Sequence, residues 1–329
     1  FKFKELLARI SALTRRGNLN NEHRSLQFTV QHLTMDLNLK EVYRNNKEVK
    51  LTSREFRLLE YLLRNKNRVV SRMDILENVW EIDFLDNFDT FNTDNWQDQR
   101  IWVNNETHCY VPNNEFDTRE VSNGTLKIKV INLGEKRPCD NIDKHGNQHP
   151  NTEYVAGRIA SKNLKEFVKG KWTARLKLAS NGEPSMFPAW WILGAQNNES
   201  PIQHSDEIIC WPLTGSGEID IFEHHGDHQK NEFTTGAIKS LGECDQGDWW
   251  SHRKGVEATL NEFHEYSVEW QGSDLVYRLD GIEVYRNIGE GDKYPEAMFA
   301  ILNFAKITDQ PMTGIWVMEV DWVKHERRS

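Results

Sequence analysis

The chain has 329 residues and a formal net charge of −9, which leaves room for two domains with a substantial core. It contains no run of 18 apolar residues, so the sequence predicts no membrane span. Residues 1–80 carry 16 Lys and Arg against 9 Asp and Glu, whereas residues 81–329 carry 25 against 41. This uneven charge predicts two parts that differ in origin or in partners.

The amino-terminal part shows the pattern of a small α+β unit. Apolar residues recur at helical spacing in residues 2–16, which predicts an amphipathic helix. Alternating residues between positions 33 and 44 predict a small antiparallel sheet. Two capping-box signals follow, with Thr52 starting one helix and Ser71 starting a second helix that ends near Trp80.

Residues 51–80, LTSREFRLLEYLLRNKNRVVSRMDILENVW, resemble the start of the winged-helix DNA-binding domain of OmpR/PhoB-type response regulators. The residues before them resemble the last receiver helix and a linker. The recognition helix and the wing of that family do not follow Trp80, and the receiver's phosphoacceptor Asp would precede residue 1. Since the family reads bases through its recognition helix, the resemblance implies a truncated winged-helix fragment, residues 1–80, without sequence-specific DNA binding.

Residues 81–329 have the pattern of a mainly β domain. Short alternating segments are separated by turn residues, for example at 123–124 and 280–281, which is typical of a sandwich or a barrel. Residues 81–86, EIDFLD, predict a linker and a first strand. All four cysteines lie in this part, and the even count fits two disulfides about as well as four reduced thiols.

The stretch 217–223, GEIDIFE, places three carboxylates in an otherwise apolar strand pattern. Residues two apart on a strand share a face, which puts Glu218 beside Asp220. Glu223 joins them only if the strand contains one extra residue, a β-bulge of the kind found beside active sites. Three neighbouring acids must either bind a cation or share protons. Shared protons would suit a retaining glycosidase, whereas a solvated strand face with charges placed by chance is the alternative.

Five further motifs accompany this stretch in a fixed order. They are YVAGRI at 154–159, GKWTARLK at 170–177, FPAWWILG at 187–194, FHEYSVEW at 263–270 and MEVDWV at 318–323. In order and spacing, residues 85–329 resemble glycoside hydrolase family 16. The resemblance implies a jelly-roll β-sandwich, with Glu218 as nucleophile, Asp220 as its assistant and Glu223 as acid/base.

Substrate binding is predicted from aromatic and polar side chains of the same region, because sugar rings offer apolar faces for stacking and hydroxyls for hydrogen bonds. The candidates are Arg158, Trp190, Trp191, Trp211, His225 and Asn303, with Trp249 and Trp250 more distant in the motif order. For the tryptophans the alternative is a place in the core, and for Arg158 it is a charge on the rim.

One departure from the family concerns the residues after the carboxylate motif. Members of laminarinase type usually carry Thr-x-His there, whereas Lys239 stands at the His position of this chain. The resemblance therefore leaves His224, His225 or His228 to serve the sugar subsites instead.

The family also commonly carries a structural Ca²⁺ on its convex face. The positions that match are Asn87 and Gly124, through their backbone carbonyls, and Asp321, through its carboxylate. Oxygen ligands of this kind suit Ca²⁺.

The resemblances together imply an endo-acting, retaining hydrolase of β-1,3 or mixed β-1,3-1,4 glucan, fused to a truncated regulator fragment. Within hydrolases, galactans such as agarose or carrageenan are the alternative substrates. The alternative from another class is a carbohydrate-binding or regulatory module without turnover, although such a module needs no matched acid and nucleophile. The sequence predicts neither an oligomeric state nor a cellular compartment.

Overall fold

A computed structural model describes residues 27–179, 184–226, 231–255, 260–312 and 314–327. The chain divides into two compact units, Phe1–Trp80 and Glu81–Ser329. The helix predicted over residues 2–16 lies outside the described residues. Within the described ranges, no helix is long and apolar enough to cross a membrane.

The described part of the first unit contains an antiparallel sheet and two helices. The sheet is formed by β1 (Gln27–Val30), β2 (Leu33–Asp36), β3 (Glu41–Arg44) and β4 (Lys47–Glu48), paired in that order. The helices are α1 (Ser53–Arg64) and α2 (Arg72–Val79). The small antiparallel sheet and the two capped helices predicted from the sequence are confirmed.

A capping box starts each of these helices. The amide of Glu55 donates to Thr52 Oγ1 at 3.3 Å, and the amide of Thr52 donates to Glu55 Oε2 at 2.7 Å. The same reciprocal pair joins Asp74 and Ser71, at 3.0 and 2.9 Å. Each box satisfies amides that the first turn of a helix leaves without an intrahelical acceptor.

The second unit is built from two sheets. Within the described residues, one sheet has ten strands: β5 (Ile82–Asp86), β7 (Cys109–Tyr110), β8 (Arg119–Ser122), β9 (Thr125–Arg137), β10 (Thr152–Ala156), β13 (Lys171–Leu178), β18 (His264–Gln271), β19 (Asp274–Leu279), β20 (Ile282–Asn287) and β22 (Trp316–Glu326). Eight more strands of the described chain form the other: β6 (Gln97–Asp98), β11 (Arg158–Ala160), β12 (Glu166–Val168), β14 (Met186–Gly194), β15 (Glu218–Glu223), β16 (Glu232–Ser240), β17 (Gly247–Gly255) and β21 (Ala297–Lys306). Helix α3 (Asn113–Phe116) and a 3₁₀ turn at Gly291–Lys293 lie between strands. The predicted mainly β architecture is confirmed.

Strand order makes β15 a central strand of its sheet. The order there is β17-β16-β15-β14-β21-β11-β6, with β12 beside β21. In the other sheet it is β20-β19-β18-β13-β22-β9-β10-β7, with β5 beside β22 and β8 beside β9. Because β15 is paired on both edges, its register and the direction of its side chains are fixed.

Alternation along the strands builds one apolar core from side chains of both sheets. In β13, Trp172, Leu176 and Leu178 are fully buried in this core. Arg175 and Lys177, which alternate with them, form ion pairs on the other face of the strand. The period of two thus separates core and solvent faces, as expected for a half-buried strand.

Trp190 belongs to this core. It is fully buried, and its ring centroid lies 6.2 Å from that of Trp172 in the other sheet. A side chain with no exposed surface cannot stack on a sugar, so the prediction of Trp190 as a substrate-binding residue is wrong. Its neighbour Trp191 points to the opposite face, because adjacent residues on a strand alternate.

The four cysteines, all within the described ranges, form two disulfides. Cys109 is bonded to Cys139 and Cys210 to Cys244, with Cα atoms 5.8 and 5.5 Å apart. Of the two alternatives left open by the cysteine count, the structure has the disulfides. The second bridge ties the segment before Trp211 to the loop that leads into β17.

Candidate active site

The three carboxylates of β15 share one face because the strand contains a β-bulge. Its pairing with β14 skips Ile221, and its pairing with β16 shifts at the same place. Ile221 and Phe222 are therefore both buried in the core, and Glu223 returns to the face of Glu218 and Asp220. The bulge predicted from the sequence is confirmed.

Burial perturbs all three carboxyl groups. It raises the pKa of Glu218 to about 7 and that of Glu223 to about 8, and the Glu218 charge adds to the rise at Glu223. Burial, followed by the charges of Glu223 and Glu218, holds the pKa of Asp220 well above its ordinary value. The hydrogen bond between Asp220 and Glu218 raises the pKa of Asp220 further and lowers that of Glu218. As the pH rises, Glu218 therefore loses its proton before Glu223 does, so the same face can offer a carboxylate and a carboxylic acid together.

Contacts to the backbone hold the carboxylate strand in place. The amide of Gly217 donates to Glu296 Oε1 at 3.0 Å, and a side chain at position 217 would meet the Tyr294 ring at 2.6 Å. The Thr235 hydroxyl donates to the carbonyl oxygen of Asp220 at 3.0 Å. The glycine of the motif is therefore required by the close approach of Tyr294.

Arg158, Trp191 and Asn303 lie on the carboxylate face, on the β14 and β21 side of β15. Asn303 pairs with Arg158 and with Ala189, and Ala189 pairs in turn with Glu223. The indole N–H of Trp191 donates to Asn303 Oδ1 at 2.7 Å, and the Arg158 guanidinium lies 5.0 Å from the Trp191 ring centroid. The structure thus brings three of the predicted substrate-binding residues together beside the carboxylates.

Arg158 is buried and is not a rim charge. It is 2 % exposed, and its Nη2 donates to both carboxylate oxygens of Glu199 at 2.8 Å. Its Nε donates to Gln99 at 2.7 Å. The Arg158 charge lowers the pKa of Glu218 and the Glu199 charge raises it. No sequence pattern indicated Glu199 or Gln99, because both lie outside strands and 41 and 59 positions from Arg158.

Trp211 and His225 lie near opposite ends of the row of carboxylates. The indole N–H of partly buried Trp211 lowers the pKa of Glu218, although it forms no hydrogen bond of ordinary geometry. The His225 ring stacks on Phe187, with ring centroids 4.1 Å apart. Phe187 is on the same face of β14 as Trp191, four residues along the strand.

Lys239 does not lie on the carboxylate face. Ile238 is the β16 residue that pairs with Glu218. The ammonium group of Lys239 lies beside that of Lys293, which lowers the pKa of Lys239. Because adjacent residues on a strand face opposite ways, Lys239 points away from the carboxylates when Ile238 points toward them. The cleft position next to Glu218 on β16 is therefore apolar.

The remaining histidines considered from the sequence are His224 and His228. His224 is fully buried, with Nδ1 2.7 Å from the carbonyl oxygen of Glu232, so it supports the fold and cannot contact a sugar. His228 lies outside the described residues.

The positions predicted to bind calcium converge where β22 changes its partner strand. It pairs with β9 before Asp321 and with β5 after it; Gly124 directly precedes β9, and Asn87 directly follows β5. These oxygen donors suit a hard cation, but the Asp321 carboxylate is ion-paired with Arg175. Among the residues that the structure describes, no group of three His, Cys, Asp or Glu side chains could hold a metal. Calcium therefore stays a prediction.

Two protein families match the sequence. Residues 46–92 match the family described as "Transcriptional regulatory protein, C terminal". Residues 102–324 match "Glycosyl hydrolases family 16". Both resemblances predicted from the motifs are thereby confirmed.

Curated relatives match the first part of the chain. Response regulator MprA from Mycobacterium avium (strain 104) is 44% identical over 84 residues, which cover 26% of this chain and 37% of the relative. MprA from Mycobacterium leprae (strain TN) gives the same values. The chain therefore spans little more than a third of the length of these relatives.

Solved structures match the second part. A LamA variant from Z. galactanivorans, in complex with laminaritriose and laminaritetraose, is 27% identical, with a TM-score of 0.63 over 75% of this chain and 98% of that chain. The catalytic domain of an endo-1,3-beta-glucanase (laminarinase) from Thermotoga petrophila RKU-1 is 21% identical, with a TM-score of 0.57 over 75% and 98%. At the lower identity the likeness shows the fold alone. Since the family match covers more than half of the residues, the chain belongs to glycosyl hydrolases family 16 and joins a glycoside hydrolase to a fragment similar to the C-terminal part of a response regulator.

Proposed function

We propose that the second unit is an endo-acting, retaining hydrolase that cleaves β-1,3 or mixed β-1,3-1,4 glucan by double displacement. The observation that carries this proposal is the row of three carboxyl groups on one face of β15, in which Asp220 lies between Glu218 and Glu223. Two carboxyl groups on one face with separated pKa values supply a nucleophile and an acid.

In the first step, the ionised Glu218 carboxylate attacks the anomeric carbon while Glu223 gives its proton to the departing glycosidic oxygen. The bond from the anomeric carbon to that oxygen breaks, an ester bond to Glu218 forms, and Glu223 is left as a carboxylate. The order of the pKa values, lower for Glu218 than for Glu223, supports this assignment of roles.

In the second step, water attacks the anomeric carbon and Glu223 takes up its proton. The ester bond breaks, Glu218 leaves as a carboxylate, and Glu223 is again a carboxylic acid. Each step inverts the anomeric configuration, so the two steps together retain it.

Asp220 forms no bond to the substrate in this mechanism. Its hydroxyl donates a hydrogen bond to the Glu218 carboxylate, which favours the ionised form of Glu218 and orients it for attack. We expect the same hydrogen bond to weaken the Glu218 carboxylate as a nucleophile slightly while improving it as a leaving group in the second step.

Similarity to the LamA variant of Z. galactanivorans supports a laminarin-type glucan as the substrate. Trp191 and Trp211, which are partly exposed, offer a stacking surface beside the carboxylates, and buried Asn303 and Arg158 hold the Trp191 ring in place.

A reducing-sugar assay on laminarin, mixed-linkage β-glucan, agarose and carrageenan tests this function. We expect sugar release from the two glucans, with an early fall in viscosity because the cut is internal. Release from a galactan alone would replace the glucan assignment. Binding without any release, by a folded chain, would instead favour the non-catalytic module.

A further inference from the structure

Trp249 is a large apolar side chain left in solvent on the carboxylate face. It is 60 % exposed and lies on β17, the edge strand. Trp249 pairs with Ile238, and Ile238 pairs with Glu218. Directly paired residues project from the same face of a sheet, and neighbouring strands lie about 4.8 Å apart, so Trp249 is about 10 Å from the catalytic strand.

Trp211 lies near both Trp249 and Glu218. The rings of Trp211 and Trp249 have centroids 6.0 Å apart and an interplanar angle of 50°. A side chain at Gly247 would clash with Ile238 and touch Pro212 and Trp211, each at 3.4 Å. These residues therefore pack into one apolar cluster, which we call the aromatic wall: Trp211, Pro212, Ile238 and Trp249. Trp249 is its exposed member, and buried Pro212 and Ile238 support it from below.

Covalent and hydrogen bonds fix the two halves of this wall relative to each other. The Cys210–Cys244 disulfide joins the residue before Trp211 to the loop before β17. In the same loop, the amide of Asp245 donates to the carbonyl oxygen of Trp211 at 2.8 Å. An exposed apolar surface that is held rigid loses little conformational entropy when a ligand covers it.

We propose that the aromatic wall is a sugar-binding subsite that stacks a pyranose ring of the polysaccharide on Trp249. The inference rests on the proposed function and adds to it a subsite on the β16 and β17 side of β15. Arg158, Trp191 and Asn303 lie on the other side. Sugar units would thus be bound on both sides of the cleaved bond, which is what cleavage inside a chain requires. A pyranose ring suits the wall because it has an apolar face and a rim of hydroxyls that stay in water.

Binding to an inactive enzyme tests the subsite without turnover. Isothermal titration calorimetry would compare the full chain carrying Glu218→Gln with the same chain carrying Glu218→Gln and Trp249→Ala. The probes are laminari-oligosaccharides of increasing length and the matching agaro-oligosaccharides. We expect Trp249→Ala to weaken binding of the longer laminari-oligosaccharides by about tenfold, the effect of uncovering one large apolar side chain. Oligosaccharides too short to reach β17 should lose nothing.

Two matched variants separate stacking from a general effect. Trp249→Phe should keep most of the affinity, because it keeps an aromatic face. Ile288→Ala, which truncates a 77 % exposed apolar residue on the ten-stranded sheet side, should keep all of it. If the Glu218→Gln chain bound the oligosaccharides and Trp249→Ala bound them equally well at every length, the subsite would be refuted while the proposed function stood. If the Glu218→Gln chain bound no oligosaccharide, both would fail.

Discussion

At the scale of single residues, the three carboxyl groups of β15 are costly to ionise where they lie. Burial raises the pKa values of Glu218, Asp220 and Glu223, and neighbouring carboxylate charges add to the rise at Asp220 and Glu223. The hydrogen bond between Asp220 and Glu218 acts in the opposite direction on Glu218 and lowers its pKa. Such clustering of buried carboxyl groups destabilises the fold, and it is typical of sites whose chemistry needs a carboxylate and a carboxylic acid together.

Replacing Glu218 with Gln should lower kcat about a thousandfold or more, because a neutral amide cannot form the glycosyl ester. Asp220→Asn should lower kcat by about a hundredfold or less, since Asp220 forms no bond to the substrate. Reducing-sugar release measures both effects, and Glu262→Gln, at an exposed glutamate, is the matched control.

Proton NMR of the first product should show the anomeric configuration of the substrate, and an inverted product would refute double displacement.

The raised pKa values predict a bell-shaped dependence of kcat/KM on pH. Activity should rise as Glu218 loses its proton, near pH 7, and fall as Glu223 loses its proton, near pH 8. Because the three carboxyl groups interact, the two apparent pKa values of the pH profile describe the group of carboxyls together and not single residues. The measurement is kcat/KM from about pH 5 to about pH 10, which brackets both groups. Activity that stayed level across the alkaline half of this range would mean that no group with the raised pKa of Glu223 donates the proton.

Adjacent tryptophans illustrate what the sequence could and could not settle. Trp190 and Trp191 were both predicted to stack on sugar, yet neighbouring residues on a strand must face opposite ways, so one of them had to enter the core. The alternation alone does not say which one. Pairing decides it, since Trp191 lies opposite Asp220 and Trp190 opposite buried Phe222.

At the scale of elements, β15 was predictable because its sequence conflicts with a regular strand. Three acids on one face violate strict alternation, and a single extra residue resolves the conflict. The bulge follows from local pattern. The partners of Arg158 do not, because Glu199 and Gln99 reach it from loops whose course no periodicity describes. Motif order placed Lys239 in the cleft, whereas strand pairing puts Ile238 beside Glu218 and therefore turns Lys239 to the opposite face.

The junction of β22 with β9 and β5 allows a test of the calcium prediction. Adding Ca²⁺ to chelator-treated protein should raise the Tm by about 2–4 °C, because a ligand that binds the folded state stabilises it. Asp321→Ala should abolish this rise. Glu319→Ala removes another carboxylate of β22 that is ion-paired with lysine, so it should lower the Tm but keep the response to Ca²⁺. A Tm that did not respond to Ca²⁺ would show that Arg175 alone neutralises Asp321.

Because β22 and β15 belong to different sheets, Ca²⁺ should leave kcat and KM unchanged at temperatures well below the Tm. Loss of activity on chelation by a chain that stayed folded would assign the metal a role at the carboxylates instead.

At the scale of the whole molecule, the sequence already separates two parts by charge and by motif. The basic part resembles a response regulator fragment and the acidic part a glycoside hydrolase, and both resemblances are borne out by the family matches. Fold class was predictable because turn signals and alternation recur throughout residues 81–329. The charge and motif patterns describe each part by itself, so they do not predict a functional relation between the two.

Deleting residues 1–80 should leave kcat/KM within about twofold of the full chain, because the carboxylates and the residues beside them lie in a unit with its own core. The first unit should affect solubility or self-association instead, since it exposes apolar side chains such as Val69, which is 95 % exposed. A gel-shift titration of the full chain at physiological salt should show no preference among DNA sequences, because strand β5 and not a recognition helix follows α2. If the shortened enzyme lost most of its activity while circular dichroism showed it folded, residues 1–80 would have to take part in catalysis or substrate binding.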